Sequence, residues 1–527
     1  MRAVSAGFET ILSRSGMAGT PQPVETLHDL ALDQVFATIG DDAPRVRSAF
    51  GVLLGSVDEV EYRQAVFRAL EDVRLREVVD EFLRDVRECA RRDEASAKAH
   101  YRFESELWHL RAVVGYIHAV EAFASRLPDA LSASGVTSEG WERLAAHAGE
   151  YRASPVFGGL ETEALSIHEQ LDRLRSNVLI RGSQVTIAPT DGEADLSAAV
   201  VGVFDRFRQG EVTDHRSSFR SPGLDHVQAW VLERVAQVHP APFERLVRFA
   251  ANTRAYHDEL LMRFSDEVRF YLAYTDYLAP LRTAGLPVCF PTVTDHSKGV
   301  SVRAGWDLAL APRVVEDGRA VVVNDLLLTG SERIAVISGP NQGGKTTMAR
   351  IFGQVHYLAA LGCPIPGTTA HVPLCDQVLT VFEREEHLDT LDGRLGAEVA
   401  RLHDVFDVMT ESSVIVLNEA FASTALHDAR ILTRDVLERI SDLDALAVCV
   451  TFIDELSRLN EKTVSMVSTV DPDDPAVRTF RVERRLADGR AFARALARKH
   501  GLTAEQVTAR LTSRIDGAGS PKEEVAS

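Results

Sequence analysis

The segment Arg333–Thr347 (RIAVISGPNQGGKTT) constrains this chain more than any other. Arg333–Ile337 is a short apolar run of buried-strand type. It leads through Ser338 into Gly339-Pro340-Asn341-Gln342-Gly343-Gly344-Lys345-Thr346-Thr347, with a helix expected from near Thr346. Strand, glycine-rich loop and helix in this order match the phosphate-binding pattern G-x-x-x-x-G-K-[ST]. Each part has a chemical reason. Glycines let backbone N–H groups curl around phosphate oxygens, and the helix N-terminus adds a favourable dipole. Lys345 brings a point charge to the β- and γ-phosphates of ATP, and the Thr346 hydroxyl can ligate Mg2+. Only six of the 58 basic residues are lysine, so composition alone produces such a match rarely, on the order of one chain in a few hundred.

A phosphate loop of this kind calls for a later strand that ends in carboxylates. Ser413-Val414-Ile415-Val416-Leu417-Asn418-Glu419 is that strand, with an Asn–Glu pair where Asp–Glu is usual. Glu419 is the candidate for polarising water. Asn418 can accept a hydrogen bond from a Mg2+-bound water but brings no negative charge, so a weaker hold on Mg2+ and slow turnover are expected.

At 527 residues the chain is too long for one ordinary core. From Thr26 to Leu281 the text is mostly helical. Val57–Arg92 has apolar residues three and four apart with no Pro or Gly, and Arg102–Arg126 and Leu224–Leu278 read the same way. Val178–Pro189 differs, its β-branched residues predicting a strand or hairpin. Beyond Gly285 short apolar strands alternate with helices: Gly299–Ala304, Val321–Val323, Ile334–Ile337, Val414–Leu417 and Ala447–Val450. That alternation predicts an α/β domain with a largely parallel sheet. The expected organisation is a loose leader at 1–25, a helical domain at 26–285, the α/β domain at 286–512 and a disordered polar tail at 513–527.

The net charge of −19 argues against non-specific capture of nucleic acid or anionic membrane. Five scattered cysteines fit buried thiols in a reducing cytoplasm and no disulfide framework or zinc site. The residues near Met1 do not show the basic start and apolar core of a signal peptide, and no apolar run approaches the ~18–20 residues of a membrane helix. His356, His371 and His403 lack metal-ligand spacing. Arg74, Arg76, Arg84, Arg87, Arg91 and Arg92 are interleaved with acids and read as a salt-bridged face. Arg216 and Arg220, within His215–Pro222, form the better candidate contact loop.

Several motifs in one order resemble the MutS family of DNA mismatch-repair ATPases. The loop GPNQGGKTT has the family's form, and Val323-Asn324-Asp325 resembles the family's Asn-Asp near the nucleotide. Phe270–Pro291 resembles the entry to the family's ATPase domain. Glu385, Glu386 and Gly393-Arg394-Leu395-Gly396-Ala397-Glu398 resemble its signature loop. Ala420–Asp428, with Thr424 and Asp428, resembles the segment that reaches across a dimer, and Asp488-Gly489-Arg490 with Arg494–Leu502 resembles its closing helix. The likeness covers about 270–510 well and is only topological over the helical half. It implies an ABC-type P-loop NTPase domain preceded by an all-α core and lever, with ATP and Mg2+ bound and a homodimer formed through the ATPase domain. It also implies DNA, mismatched or branched, as a partner, and repair proteins as further partners. Gly339 to Thr347 and Asn324 would hold the nucleotide, Lys345 and Glu419 would serve catalysis, and Thr346 and Asn418 would serve the metal.

Three positions depart from the family pattern. Asn418 replaces an Asp, Gly393 stands where a Ser hydroxyl is usual, and Phe452 occupies the place of a γ-phosphate-sensing His. Phe8-Glu9 and Phe103-Glu104 are adjacent pairs and not the F-x-E of mismatch reading, so that activity is expected to be absent; Phe103 reads as core. A slow ATPase gating a DNA clamp is the leading expectation. The alternative is a nucleotide-gated protein-interaction switch with little or no hydrolysis. A transporter-type subunit fits poorly, because the domain lies C-terminally on a helical arm and has no LSGGQ string.

Overall fold

The structure is a computed structural model. It describes residues 8–16, 19–40, 44–182, 184–190, 224–383, 394–422, 424–471, 474, 477–487 and 502–508. The described residues form two compact units, divided at Glu9/Thr10, Phe67/Arg68 and Ser265/Asp266.

The unit containing residues 10–67 and 266–527 is built on a six-stranded sheet. Its strands are β1 (Ile334–Ser338), β2 (Val378–Phe382), β3 (Val414–Asn418), β4 (Leu446–Val450), β5 (Thr463–Val470) and β6 (Arg478–Arg484). They lie in the order β2-β3-β4-β1-β5-β6, all parallel except β6, which runs antiparallel to β5. Every residue of β1 to β4 is buried. Strands covered on both faces read as continuous apolar runs, which is how β1, β3 and β4 announce themselves. Ile334, Val336, Ile415, Leu417 and Cys449 share one cluster with Leu402 and Val405 of helix α2 (Arg394–Val408) and with Leu437 and Ile440 of helix α3 (Leu426–Leu443). Helix α1 (Lys345–Ala360) also lies against the sheet. A Cβ at its Gly353 would stand 3.2 Å from Val416 Cγ2 and 2.4 Å from Leu30 Cδ2.

A second sheet has the order Thr292–Thr294, Thr369–Pro373, Val300–Gly305, Asn324–Leu328. Its last strand corrects the expected one at Val321–Val323. Those three valines are all half-buried and carry no strand. The neighbouring NDLLL alternates instead, with Asn324, Leu326 and Leu328 inward and Asp325 and Leu327 outward, which is the period a half-covered strand needs.

The expectation of a loose leader at 1–25 is also corrected where residues are described. Ile11 and Leu12 are buried, Gly19–Pro21 pairs antiparallel with Val52–Leu54, and the helix Val24–Asp29 follows. Thr26 Oγ1 donates to Val378 O at 2.9 Å, and Gln354 Nε2 donates to Leu30 O at 2.9 Å. Arg63 is fully buried because its guanidinium meets the Leu12 and Leu361 carbonyls at 3.0 and 2.8 Å. Residues 10–67 therefore belong to the unit of the six-stranded sheet, not to a helical domain ending at 285. The expected tail at 513–527 lies outside the described residues.

The other unit holds the helices Val73–Lys98, Glu104–Ser134, Glu139–Arg152, Pro155–Asp172, His226–Val238 and Pro240–Asn252. The predicted hairpin forms from Ser176–Arg181 and Gln184–Pro189, turning at Gly182 with φ 63°. The run Val57–Arg92 is not one helix. It breaks after Ala69 and restarts at Val73, because the Asp72 carboxylate caps the Arg74 and Leu75 amides. Leu224–Leu278 likewise breaks at His239 and over Thr253–Asp258 before the helix Glu259–Thr283. Phe103 is core, 5.0 Å ring to ring from Phe243. Arg74, Arg76, Arg91 and Arg92 pair with Asp72, Asp80 and Glu88 as a salt-bridged face. His215–Pro222, with Arg216 and Arg220, lies outside the described residues. Among the described residues no helix is long and apolar enough to cross a membrane.

Candidate functional site

The chain leaves β1 at the centre of the sheet, flanked by β4 and β5, and turns at once into Gly339–Gly344. A crevice at the C-terminal ends of parallel strands, where successive connections diverge to opposite sides, is where such sheets bind ligands. Gly339 has φ 121° and Gly344 φ 91°, values that disfavour a side chain. Space is closed as well. A Cβ on Gly343 would stand 2.2 Å from Ser468 Oγ and 2.9 Å from Pro340 O, and one on Gly339 would stand 2.9 Å from Ser468 O. A Cβ on Gly344 would meet the Phe480 carbonyl at 3.3 Å. Ser468 on β5 also donates to Gly343 O at 2.6 Å, so β5 forms one wall of the loop.

Helix α1 starts at Lys345, one residue ahead of expectation. Lys345 is 4% exposed, and its Nζ lies 3.1 Å from Gly339 O, 3.2 Å from Asn341 Oδ1 and 3.3 Å from Glu419 Oε1. A buried ammonium requires this kind of oxygen shell. Glu419 follows β3, which is separated from β1 by β4. The Glu419 amide donates to Val450 O at 3.0 Å, and the Thr451 amide donates to Ile337 O at 3.0 Å. These bonds lace the ends of β3, β4 and β1 together. Asn418 is buried, and its Oδ1 makes no hydrogen bond. Phe452, just past β4, is 48% exposed.

The structure thus brings Gly339, Pro340, Asn341, Gln342, Gly343, Gly344 and Lys345 to the same strand ends as Asn418 and Glu419. Thr346 and Thr347 are half-buried in the first turn of α1. Asn324 lies at the start of the strand Asn324–Leu328. Its Nδ2 donates to Phe480 O at 3.2 Å and its Oδ1 accepts from Val482 N at 2.8 Å, so the carboxamide fastens β6. Asp428 is exposed in the first turn of α3. Glu385, Glu386, Gly393 and Asp488–Arg490 lie outside the described residues. Ser468 and Phe480 were missed, since a serine inside a strand and a phenylalanine near the chain end carry no signal of their own.

The donors suit a nucleoside triphosphate with a hard cation. Loop amides and an ammonium match phosphate oxygens, and the Thr346 hydroxyl, the free Asn418 amide oxygen and the Glu419 carboxylate are all oxygen ligands of the kind Mg2+ takes. A glycine cradle at the head of a helix, a buried lysine within it and a facing Asn–Glu pair give this α/β unit a set of donors suited to nucleotide phosphates. Residues 335–506 match the model of MutS domain V. The chain is 25% identical over 312 residues to the DNA mismatch repair protein MutS of Shouchella clausii, covering 58% of this chain and 35% of that one. It is 36% identical over 129 residues to MutS of Symbiobacterium thermophilum, covering 24% and 15% of the two chains. It is 27% identical over 236 residues to MutS of Erythrobacter litoralis, covering 44% and 26%. Residues 335–506 are thus similar to MutS domain V, and the chain spans about a third or less of the length of these relatives.

Proposed function

We propose that this protein binds ATP and Mg2+ at Gly339–Thr347 and uses nucleotide occupancy to control association with DNA, in mismatch repair or a related process. In this reading residues 286–512 act as an ABC-type P-loop ATPase domain that dimerises with a second copy. The helical part forms the clamp, hydrolysis is slow, and the protein works in the cytoplasm. That these relatives are DNA mismatch repair proteins supports the repair assignment. Bound ATP supplies the reactive γ-phosphoryl group. The loop amides and Lys345 hold its phosphates, Glu419 orients water, and Thr346 and Asn418 serve the cation, Asn418 through a water.

The observation that carries slow turnover is Asn418, whose buried Oδ1 is unpartnered at the end of β3. A neutral oxygen there offers a hydrogen bond but no charge to the cation, so the site favours holding ATP over hydrolysing it. Fluorescence anisotropy of labelled paired, mismatched and branched duplexes, with ATP, ADP or neither, tests the reading. ATP is expected to change affinity for at least one duplex by about fivefold or more. No binding to any duplex with any nucleotide contradicts the DNA half.

One observation favours a second reading, a nucleotide-gated switch acting on a protein. Phe452 offers a half-exposed aromatic surface beside the site. ATP-dependent self-association or protein capture without DNA binding would distinguish it.

A further inference from the structure

Glu419 sits in an unusual turn. It has φ 54°, and Phe421, two residues on, has φ 63°. Non-glycine residues in the left-handed region are strained and persist only where the surroundings impose them. The surroundings are identifiable. The Glu419 amide is held by Val450 O at 3.0 Å, the Ala422 amide returns to Glu419 O at 3.2 Å, and the Thr424 amide returns to Phe421 O at 3.2 Å. The Phe421 side chain is buried at 2% exposure in the cluster beneath the sheet. Its own amide donates to Glu398 Oε2 at 2.9 Å.

Glu398 lies on α2, in a different part of the sequence from the turn it holds. This bond is part-buried, and a carboxylate accepting a backbone N–H makes a strong, charge-assisted bond whose loss leaves the amide without that acceptor. We infer that Glu398 is a positioning residue: by fixing the left-handed Phe421 it sets the Glu419 carboxylate opposite Lys345, so that the placement of α2 governs whether Glu419 is ready for water. The rest of α2 is tied down too. Arg401, one turn on from Glu398, pairs with Asp29, whose Oδ2 also accepts from Thr380 Oγ1 at 2.7 Å. Movement at the start of α2, which follows the signature-like Gly393, would reach Glu419 through the hydrogen bond from Phe421 N to Glu398 Oε2.

The inference rests on Glu419 being the group that orients water, and the experiment separates the two claims. ATP affinity and single-turnover hydrolysis are measured for wild type, Glu398→Ala, Glu398→Gln and Glu419→Gln, with hydrogen exchange of the segment 414–422. Glu398→Ala is expected to hydrolyse at least about tenfold more slowly with ATP affinity within about twofold, and its 419–422 amides to exchange faster. Glu398→Gln keeps a carbonyl acceptor and is expected to restore most of the rate and protection. If Glu398→Ala does not fold, Glu398→Met, of similar length and without an acceptor, carries the same expectation. Wild-type rate and wild-type protection in these variants, with Glu419→Gln inactive, overturn the positioning role. Wild-type hydrolysis by Glu419→Gln overturns instead the assignment of Glu419, and with it the catalytic half of the inference.

Discussion

Lys345 Nζ and Glu419 Oε1 lie 3.3 Å apart, joining the head of α1 to the turn after β3. The cation that should meet phosphate and the carboxylate that should meet water are thus within reach of one another. An anionic phosphate can take the place of the Glu419 oxygen without leaving the buried ammonium bare. Glu419→Gln is therefore expected to bind ATP at least as tightly as wild type while losing ~100-fold or more in hydrolysis. Isothermal titration with and without Mg2+, alongside phosphate release, reads both quantities.

The glycine cradle gives a second expectation. In Gly343→Ala the new Cβ meets Ser468 Oγ at 2.2 Å and Pro340 O at 2.9 Å, so the loop must shift. Overpacking of this kind costs roughly 1–3 kcal/mol. The variant is expected to melt lower and lose ATP binding. Adding Ser468→Gly removes the closest clash and should recover part of the melting temperature, which differential scanning fluorimetry measures.

Asp29 ties the N-terminal segment to both β2 and α2, through Thr380 and Arg401. Its carboxylate is 4% exposed and the arginine 19%, so truncation leaves a poorly solvated charge. Asp29→Ala is expected to destabilise the unit by about 3 kcal/mol, the range for breaking a buried pair. A double-mutant cycle with Arg401→Met in urea unfolding checks it, since the double variant should be less destabilised than the two single effects added together.

Buried His356 makes stability depend on pH. Burial lowers its pKa from 6.5 to about 4, against a smaller opposing effect of the Nδ1 hydrogen bond to Phe352 O. The unfolded chain takes up this proton near its ordinary value, whereas the folded chain waits until about 4. The contribution is full above the unfolded value, falls with falling pH through the interval, and levels off below the folded value. The whole step is about 3 kcal/mol. His356→Leu is expected to flatten the pH dependence of urea unfolding in that window by most of this amount.

Much of the site was legible because β1, β3 and β4 are apolar at nearly every position, a direct result of coverage on both faces. The glycine loop was legible because its backbone leaves no alternative residue. β2 and β5 were missed for an opposite reason. Thr380 and Ser468 are buried polar residues whose hydroxyls are satisfied by Asp29 and by Gly343 O, partners that lie far away in sequence. The same holds for residues 8–25, where Phe8, Ile11 and Leu12 are too sparse to form a periodic pattern and find their burial through tertiary contacts. Asn324 shows the limit of a motif. Resemblance picked out the residue but not its bonds to the backbone of β6.

The most direct measurement is equilibrium ATP binding with single-turnover hydrolysis for wild type, Lys345→Ala and Asn418→Asp. Wild type should bind ATP and turn it over slowly, Lys345→Ala should bind at least about tenfold more weakly, and Asn418→Asp should hydrolyse at least about tenfold faster in Mg2+. Wild type that binds ATP no better than Lys345→Ala would contradict the assignment of the site.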